Sequence, residues 1–292
     1  MGNRTAPEWA RHWQYAELPG LDLLHARYVR HTFPRHSHDG FAVASVSGGV
    51  EDLIMPDGVI PVRPGMVVMI NPEVPHAARA GVPEGWTYTT LYPSVELVST
   101  IAHEVTTLRG TPGFAESHVQ DPQTAELIRN VHLAAEAGNA LAADSLLRIV
   151  VARLLGRHGS RLPSRSARDS GAHTAARARS LLEERMAEPP TLDRLAQEVG
   201  TSPFALFRAF KSAYGMPPHT WLTDARVRNA RRLLEAGRTP AEAAVEVGFT
   251  DQPHLNRHFT RIVGVPPGAY RHERLGRPSA RKNVQDAGGS LA

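Results

Sequence analysis

The sequence predicts an α+β chain of two domains, a small β-barrel with following helices and then an all-α domain made of two helix-turn-helix units. Three observations predict it. Short apolar runs broken by Gly and Pro fill residues 21 to 93, helical periodicity takes over from Val95, and two stretches of the C-terminal third repeat one another.

In chain order, Phe41 to Val46, Gly58 to Val62, Met66 to Ile70 and Trp86 to Leu91 have the length and spacing of strands in an antiparallel barrel or sandwich. Helical patterning follows over Val95 to Val105, Gln123 to Ala137 and Ala140 to Leu155. In the last of these Leu147, Val150, Val151, Leu154 and Leu155 form one stripe, which can pack on the barrel or on its copy in a second chain. These elements set the first domain at residues 1 to 156. Residues 157 to 172, rich in Arg, Ser and Gly and without periodicity, read as a linker. The second domain then spans 173 to 274, and 275 to 292 have too few apolar groups to build a core and read as a disordered tail.

The repeat aligns Thr191 with Thr239, Ala196 with Ala244, Glu198 with Glu246 and Gly200 with Gly248. After one inserted residue it aligns Leu206 with Leu255, Arg208 with Arg257, Phe210 with Phe259 and Gly215 with Gly264. In each unit a capped short helix ends at a glycine suited to a sharp turn, and a second helix follows. Ser202-Pro203 starts the first of these second helices, which runs to about Tyr214; Thr250 or Asp251 starts the other, which runs to Val263. Leu206, Phe210 and Ala213 should point inward, as should Leu255, Phe259 and Ile262. Phe204, Phe207, Arg208 and Lys211 are then left outside in one unit, and Gln252, Asn256, Arg257 and Thr260 in the other. A long helix from Pro218 to Ala236 carries Trp221, Leu222, Ala225, Ala230, Leu233 and Leu234 and can join both units into one body. Two recognition helices enter successive major grooves when they sit about 34 Å apart.

Charge points the same way. Residues 1 to 169 hold 15 Lys/Arg against 17 Asp/Glu, whereas 170 to 292 hold 18 against 12, so the half suited to a polyanion is the C-terminal one. Arg can bridge guanine O6 and N7, Gln or Asn can bridge adenine, and Phe can lie on a thymine methyl. Arg208 and Arg257 are the foremost base-reading candidates, with a phosphate contact or a structural ion pair as the alternative for each. His254 is either a phosphate contact or a surface group, and so is His258.

Leu195-Ala196, Gly200, Leu206-Phe-Arg-Ala-Phe210, Arg226, Ala230, Leu233-Leu234, Val247-Gly-Phe249, Leu255-Asn-Arg-His-Phe259 and Gly264-Val-Pro-Pro-Gly-Ala-Tyr-Arg271 resemble the AraC/XylS family of bacterial transcription regulators. The resemblance covers about the last hundred residues before the tail. It implies base reading through Ser202, Phe204, Phe207 and Arg208 in the first unit and through Gln252, Asn256 and Arg257 in the second. Phe207 stands where the family more often has a polar residue.

Arg35-His-Ser-His38 and Arg63-Pro-Gly-Met-Val-Val-Met-Ile-Asn-Pro-Glu-Val-Pro-His76 resemble the two signature segments of a cupin barrel. Metal-binding cupins add a glutamate shortly after the His pair; here Asp39, Gly40, Phe41, Ala42 and Val43 follow instead. The departure favours a site without metal, with histidines hydrogen-bonding an organic ligand. A divalent metal at His36, His38 and His76 stays open as the alternative, since three imidazoles suffice to hold zinc or nickel. Family members commonly pair such a barrel with the reading head, which implies a small-molecule effector inside it. His36, His38, His76, Trp86, Tyr88 and Tyr92 are the candidates to touch that effector, and barrel packing is the alternative for each aromatic.

The 292 residues give each domain room for its own core. With no cysteine there are no disulfides, thiolate metal sites or Cys nucleophiles, and no catalytic residues suggest themselves. No window holds enough apolar residues to cross a bilayer, and the first ten lack a signal-peptide core, so the expected place is the cytoplasm, with no membrane partner. The expected function is that of a ligand-responsive, sequence-specific DNA-binding regulator, an activator by family habit and not an enzyme. Double-stranded DNA and a small effector are its expected partners, with RNA polymerase and a second copy of the chain as further ones. The competing class is a metal-dependent cupin enzyme carrying a DNA-binding module.

Overall fold

The computed structural model describes residues 7–105, 110–161 and 170–275. Nine strands build the barrel: β1 (Trp9–Gln14), β2 (Leu21–Tyr28), β3 (Phe33–His36), β4 (Ala42–Gly49), β5 (Glu51–Met55), β6 (Gly58–Val62), β7 (Met66–Ile70), β8 (His76–Ala80) and β9 (Trp86–Pro93). Next come α1 (Val95–Val105), β10 (Pro112–Phe114), β11 (His118–Gln120), α2 (Pro122–Glu136), α3 (Ala140–His158) and β12 (Gly159–Arg161). One sheet has the order β1-β2-β9-β4-β7-β11, and a second, β3-β8-β5-β6, faces it; β10 pairs with β12.

The large sheet is buried on both faces, and strand alternation sorts its side chains between two cores. Leu21, Leu23, Val43, Val67, Met69 and Leu91 point outward and pack under α1, α2 and α3 with Ile128, Leu147, Val150 and Leu154. Leu24, Ala26, Tyr28, Val68, Ile70 and Trp86 point into the barrel. The whole α3 stripe of Leu147, Val150, Val151, Leu154 and Leu155 is thus used within its own chain. Asp121 caps α2 by accepting from Thr124 N, and also accepts from Arg153 and Arg157 of α3, which ties the helix pair at one end.

The segment expected to be a linker begins and ends in regular structure. α3 continues to His158, β12 follows at once, and the next helix, α4 (Ser170–Glu184), starts before residue 173. Three residues of β12 gain ladder partners in β10, which apolar periodicity does not register. The expected tail beyond Leu275, and residues 162–169, lie outside the described residues.

After α4 come α5 (Leu192–Glu198), α6 (Pro203–Tyr214), α7 (Pro218–Glu235), α8 (Pro240–Glu246), α9 (Gln252–Val263) and α10 (Pro267–Arg274). The local chemistry is as expected from the sequence. Thr191, Ser202, Thr239 and Asp251 each accept from a backbone N–H of the first turn, and Thr239 with Glu242 forms a full capping box. Gly200 and Gly248 turn each unit at φ 74° and 85°. α7 divides its apolar residues: Trp221, Leu222 and Ala225 enter the core of the first unit, and Val227, Ala230 and Leu234 enter that of the second. Two inward assignments shift by one residue. Tyr214 and Val263 are the buried residues, whereas Ala213 and Ile262 are half-buried. Thr260, expected outside, is half-buried and its hydroxyl is sealed from solvent without a hydrogen-bond partner.

Candidate functional site

On the inner barrel face, Ala42 and Ala44 of β4 sit in register with Ile70 and Val68 of β7, and Ala78 of β8 opposes Leu53 of β5. Small side chains at these positions leave a cavity of about 60 Å³. β3 and β8 bring His36 directly opposite His76, and the chain leaving β3 adds His38. The ring centroids lie 4.5 Å apart for His36 and His76, 4.9 Å for His36 and His38, and 5.1 Å for His38 and His76. Tyr92 stands 5.0 Å from His38, and Tyr88 also lines the space.

His36 Nδ1 meets the Pro34 carbonyl at 2.8 Å and His76 Nδ1 meets that of Val74 at 3.0 Å. A carbonyl only accepts, so each Nδ1 carries the proton and each Nε2 keeps a free lone pair. Burial lowers the pKa of all three rings, that of His76 to about 3. The cluster is therefore neutral at pH 7.

Five of the six residues expected to touch an effector line this cavity: His36, His38, His76, Tyr88 and Tyr92. Trp86 does not. It shares the inward parity of Tyr88 and Tyr92, but lies fully buried at the far end of β9, stacked with Tyr88 and tilted against Tyr28 in the barrel core. Parity alone does not report depth.

The sequence reading missed Glu51. It is 7% exposed, lines the cavity, and burial raises its pKa to about 7. Alternation in β5 carries the signal, because Glu51, Leu53 and Met55 share the buried face and only one of them is charged. His12 was missed as well, and so were the groups that close the cavity mouth. Val227, Arg228 and Arg231 of α7 and Ile262 and Val263 of α9 complete the wall, so the helix-turn-helix domain itself is the lid.

Charged pairs hold that lid. Asp224 of α7, 1% exposed, accepts from the backbone N–H and hydroxyl of Ser37 and from Arg228, which also pairs with Asp39 at 2.9 Å. Asp22 of β2 accepts from Arg231 at 2.9 Å and Arg274 at 2.6 Å. Tyr28 donates from Oη to the Gly264 carbonyl at 3.0 Å, and Arg179 of α4 pairs with Glu73 at 2.8 Å.

The opposite faces of α6 and α9 are open. Ser202, Phe204, Arg208 and Lys211 are exposed, with Phe204 at 68% and Phe207 half-buried. The Arg208 guanidinium lies 4.8 Å over the ring of Phe204, one turn earlier on the same helix. On α9, Gln252 and Arg257 are exposed and His254 and Asn256 half-buried, the His254 ring packing on Phe249 and His258. Arg226, Arg228, Arg231, Arg271 and Arg274 are committed to internal partners. Among the described residues, Arg208 and Arg257 make no ion pair. Arg208 and Arg257 on the two outward helix faces thus differ from the paired arginines of α7 and α10, and stand where phosphate or base-edge contact would need them.

Residues 195–273 match the family described as a helix-turn-helix domain, and residues 18–150 match that described as an AraC-like ligand binding domain. The uncharacterized HTH-type transcriptional regulator YbfI of Bacillus subtilis is 26% identical over 236 residues, covering 80% of this chain and 86% of YbfI. The bifunctional transcriptional activator/DNA repair enzyme Ada of Escherichia coli is 35% identical over 84 residues, which are 29% of this chain and 24% of Ada. Among solved structures, ToxT from Vibrio cholerae O395 aligns with a TM-score of 0.56 at 10% identity, covering 89% of this chain and 100% of ToxT. A structure of ToxT bound to an unsaturated fatty acid aligns at 0.52 and 11% identity, covering 94% and 98%. At these identities the likeness to ToxT is one of fold.

Proposed function

Because this chain belongs to the AraC family of transcriptional regulators, with a ligand-binding barrel ahead of a DNA-binding helix-turn-helix domain, we propose that occupancy of the barrel cavity controls how the reading head is held, and through it transcription. One observation carries this reading: α9 presents Gln252, Asn256 and Arg257 outward while its Ile262 and Val263 wall the cavity. A ligand and a DNA groove would then act on two faces of one helix. With the lid docked, the free space of about 60 Å³ is smaller than the roughly 150 Å³ that admits benzene. An organic effector larger than that, such as the unsaturated fatty acid of the ToxT structure, has to part α7 and α9 from the barrel to enter. Effector size and lid opening are linked in this way, and binding shifts the population between held and released heads.

The finer reading is an activator of the cytoplasm that meets RNA polymerase when released, pairs with a second copy, and performs no catalysis of its own. Family habit supports it, as does the regulatory role of the relatives. Among the described residues no helix is long and apolar enough to cross a membrane, in keeping with this placement.

Selection of preferred sites from random DNA at stated ionic strength tests the DNA-reading part. Arg208→Ala and Arg257→Ala are each expected to weaken binding to the selected site by about 1 to 3 kcal/mol and to relax preference at a few positions. Equal affinity for scrambled DNA would refute base reading by these helices, and unchanged preference in both variants would remove Arg208 and Arg257 from the readout.

A further inference from the structure

We infer that the barrel cavity takes an aliphatic primary amine with a second hydrogen-bond donor at its far end, and that Glu51 receives the ammonium group. That class deepens the effector reading above and rests on it. Glu51 is 7% exposed and lines the cavity, yet its carboxylate makes no hydrogen bond or ion pair among the described residues. Buried carboxylates are ordinarily paired, because a charge taken out of water without a partner is costly. A cation from outside the protein supplies the partner that the barrel does not. Arg228 and Arg231 line the same cavity at its mouth, but Asp224, Asp39 and Asp22 already neutralise them. They leave a ligand carboxylate no uncompensated cation, and one brought to Glu51 meets a like charge.

The length and lining of the cavity define the rest of the molecule. Glu51 opposes Ala80 in the ladder between β5 and β8, and His76 lies four residues before Ala80 on the same face of β8. At a strand rise of roughly 3.3 Å per residue, the backbones of Glu51 and His76 stand roughly 13 Å apart along the sheet. At the His76 end, Nδ1 of His36 and of His76 is bonded to a carbonyl, so Nε2 of each is an acceptor. Both ends of the cavity thus accept hydrogen bonds. Between them Ala42, Ala44, Leu53, Val68, Ile70 and Ala78 make an apolar wall. A free space of about 60 Å³ spread over that length is a narrow bore, which suits a methylene chain and not a ring.

A chain with a donor at each end matches this order of acceptor, apolar wall and acceptor. A fatty acid fits badly either way round in this chain: tail first, it seals Glu51 off without a partner, and head first, it sets carboxylate against carboxylate. The far donor of the amine acts beside the lid, because His36 adjoins Ser37. The Ser37 backbone N–H and hydroxyl bond Asp224 of α7 at 3.3 and 2.9 Å, and Arg228 donates to the same hydroxyl at 3.0 Å.

Full-length protein at pH 8 is titrated in a calorimeter with putrescine, cadaverine, ethanolamine, butylamine, butanediol and oleate, and affinity for a selected DNA site is measured with and without the tightest binder. At least one of putrescine, cadaverine and ethanolamine should bind, one molecule per chain. It should be held at least about 10-fold more tightly than butylamine or butanediol, the low end for a hydrogen bond to a charged group. Glu51→Gln keeps the shape of the side chain and should lose at least about 10-fold in amine affinity, with its cooperative thermal transition retained. The bound amine should change DNA affinity of the unsubstituted protein by at least about fivefold, the lower end of allosteric coupling. No binding by any of the three, or amine binding unchanged in Glu51→Gln, overturns the site. Butylamine held as tightly as the others overturns the second donor, and oleate bound in their place overturns the class. Amine binding that depends on Glu51 and leaves DNA affinity untouched upholds the site and is failure of the regulator reading instead.

Discussion

Glu51 shows how one residue's burial becomes a pH dependence. Its pKa rises from 4.5 to about 7 because the folded barrel desolvates the carboxylate. The folded chain therefore holds this proton more tightly than the unfolded chain does. The group's contribution to stability is complete below pH 4.5 and is lost as pH rises to about 7, a change of about 3 kcal/mol by linkage. The buried histidines act in the opposite sense, because burial lowers their pKa and the unfolded chain takes up protons first as pH falls below 6.5. Glu51→Gln isolates the carboxylate from that background. Its melting temperature should exceed that of the unsubstituted protein at pH 8, with the gap closing towards pH 5. A gap that does not vary with pH would mean that Glu51 is solvated in the folded state. Residues of this kind are legible in part: the alternation of β5 puts a charge on a buried face, but nothing in the sequence says that the face borders a cavity.

At the scale of elements, the helices of the reading head follow from local rules and the barrel strands do so less fully. Cap, proline and glycine chemistry is a matter of neighbours within four residues, so Ser202-Pro203, Thr239-Pro240 and Gly264 announce their roles. The strands β3 and β8 are short, and their Pro, charged or Ala residues carry no clear apolar rhythm. Their hydrogen-bonding partners come from far along the chain, which no short window contains. Gly264 does more than end α9. Its φ of 85° calls for glycine, and a Cβ there would overlap Tyr28 Oη in the barrel. Gly264→Ala should cost about 1 kcal/mol or more from the backbone alone and also push the second unit off the barrel. Combined with Tyr28→Phe, which removes the hydroxyl, the second part of the loss should diminish. Additive costs in thermal denaturation of the double variant would show that the contact is not formed.

For the whole molecule, two domains recognised separately in the sequence turn out to share a wall. The charges of α7 pattern like a solvated helix face, so the contacts of Arg228 and Arg231 with Asp39 and Asp22 stay hidden until the barrel is placed beside them. Asp22 is central, since one carboxylate receives Arg231 and the almost fully buried Arg274. Asp22→Asn leaves two guanidinium groups without their counter-charge, which destabilises the docked state far more than any surface pair would. Without effector, its DNA affinity should move by at least about fivefold towards that of the effector-loaded unsubstituted protein. Affinity equal to that of the effector-free parent would indicate that the seam does not restrain the head.

The division of the arginines has a bearing on how the protein meets changes in salt. Arg208 and Arg257 stand in water, where added counterions compete directly for the phosphates they would neutralise. Arg274 and Arg228 in the seam are only 1% and 12% exposed, largely beyond the reach of the ionic atmosphere. On the proposed reading, raising the salt concentration weakens the hold of these two arginines on DNA phosphates while the ion pairs that join the domains are little changed.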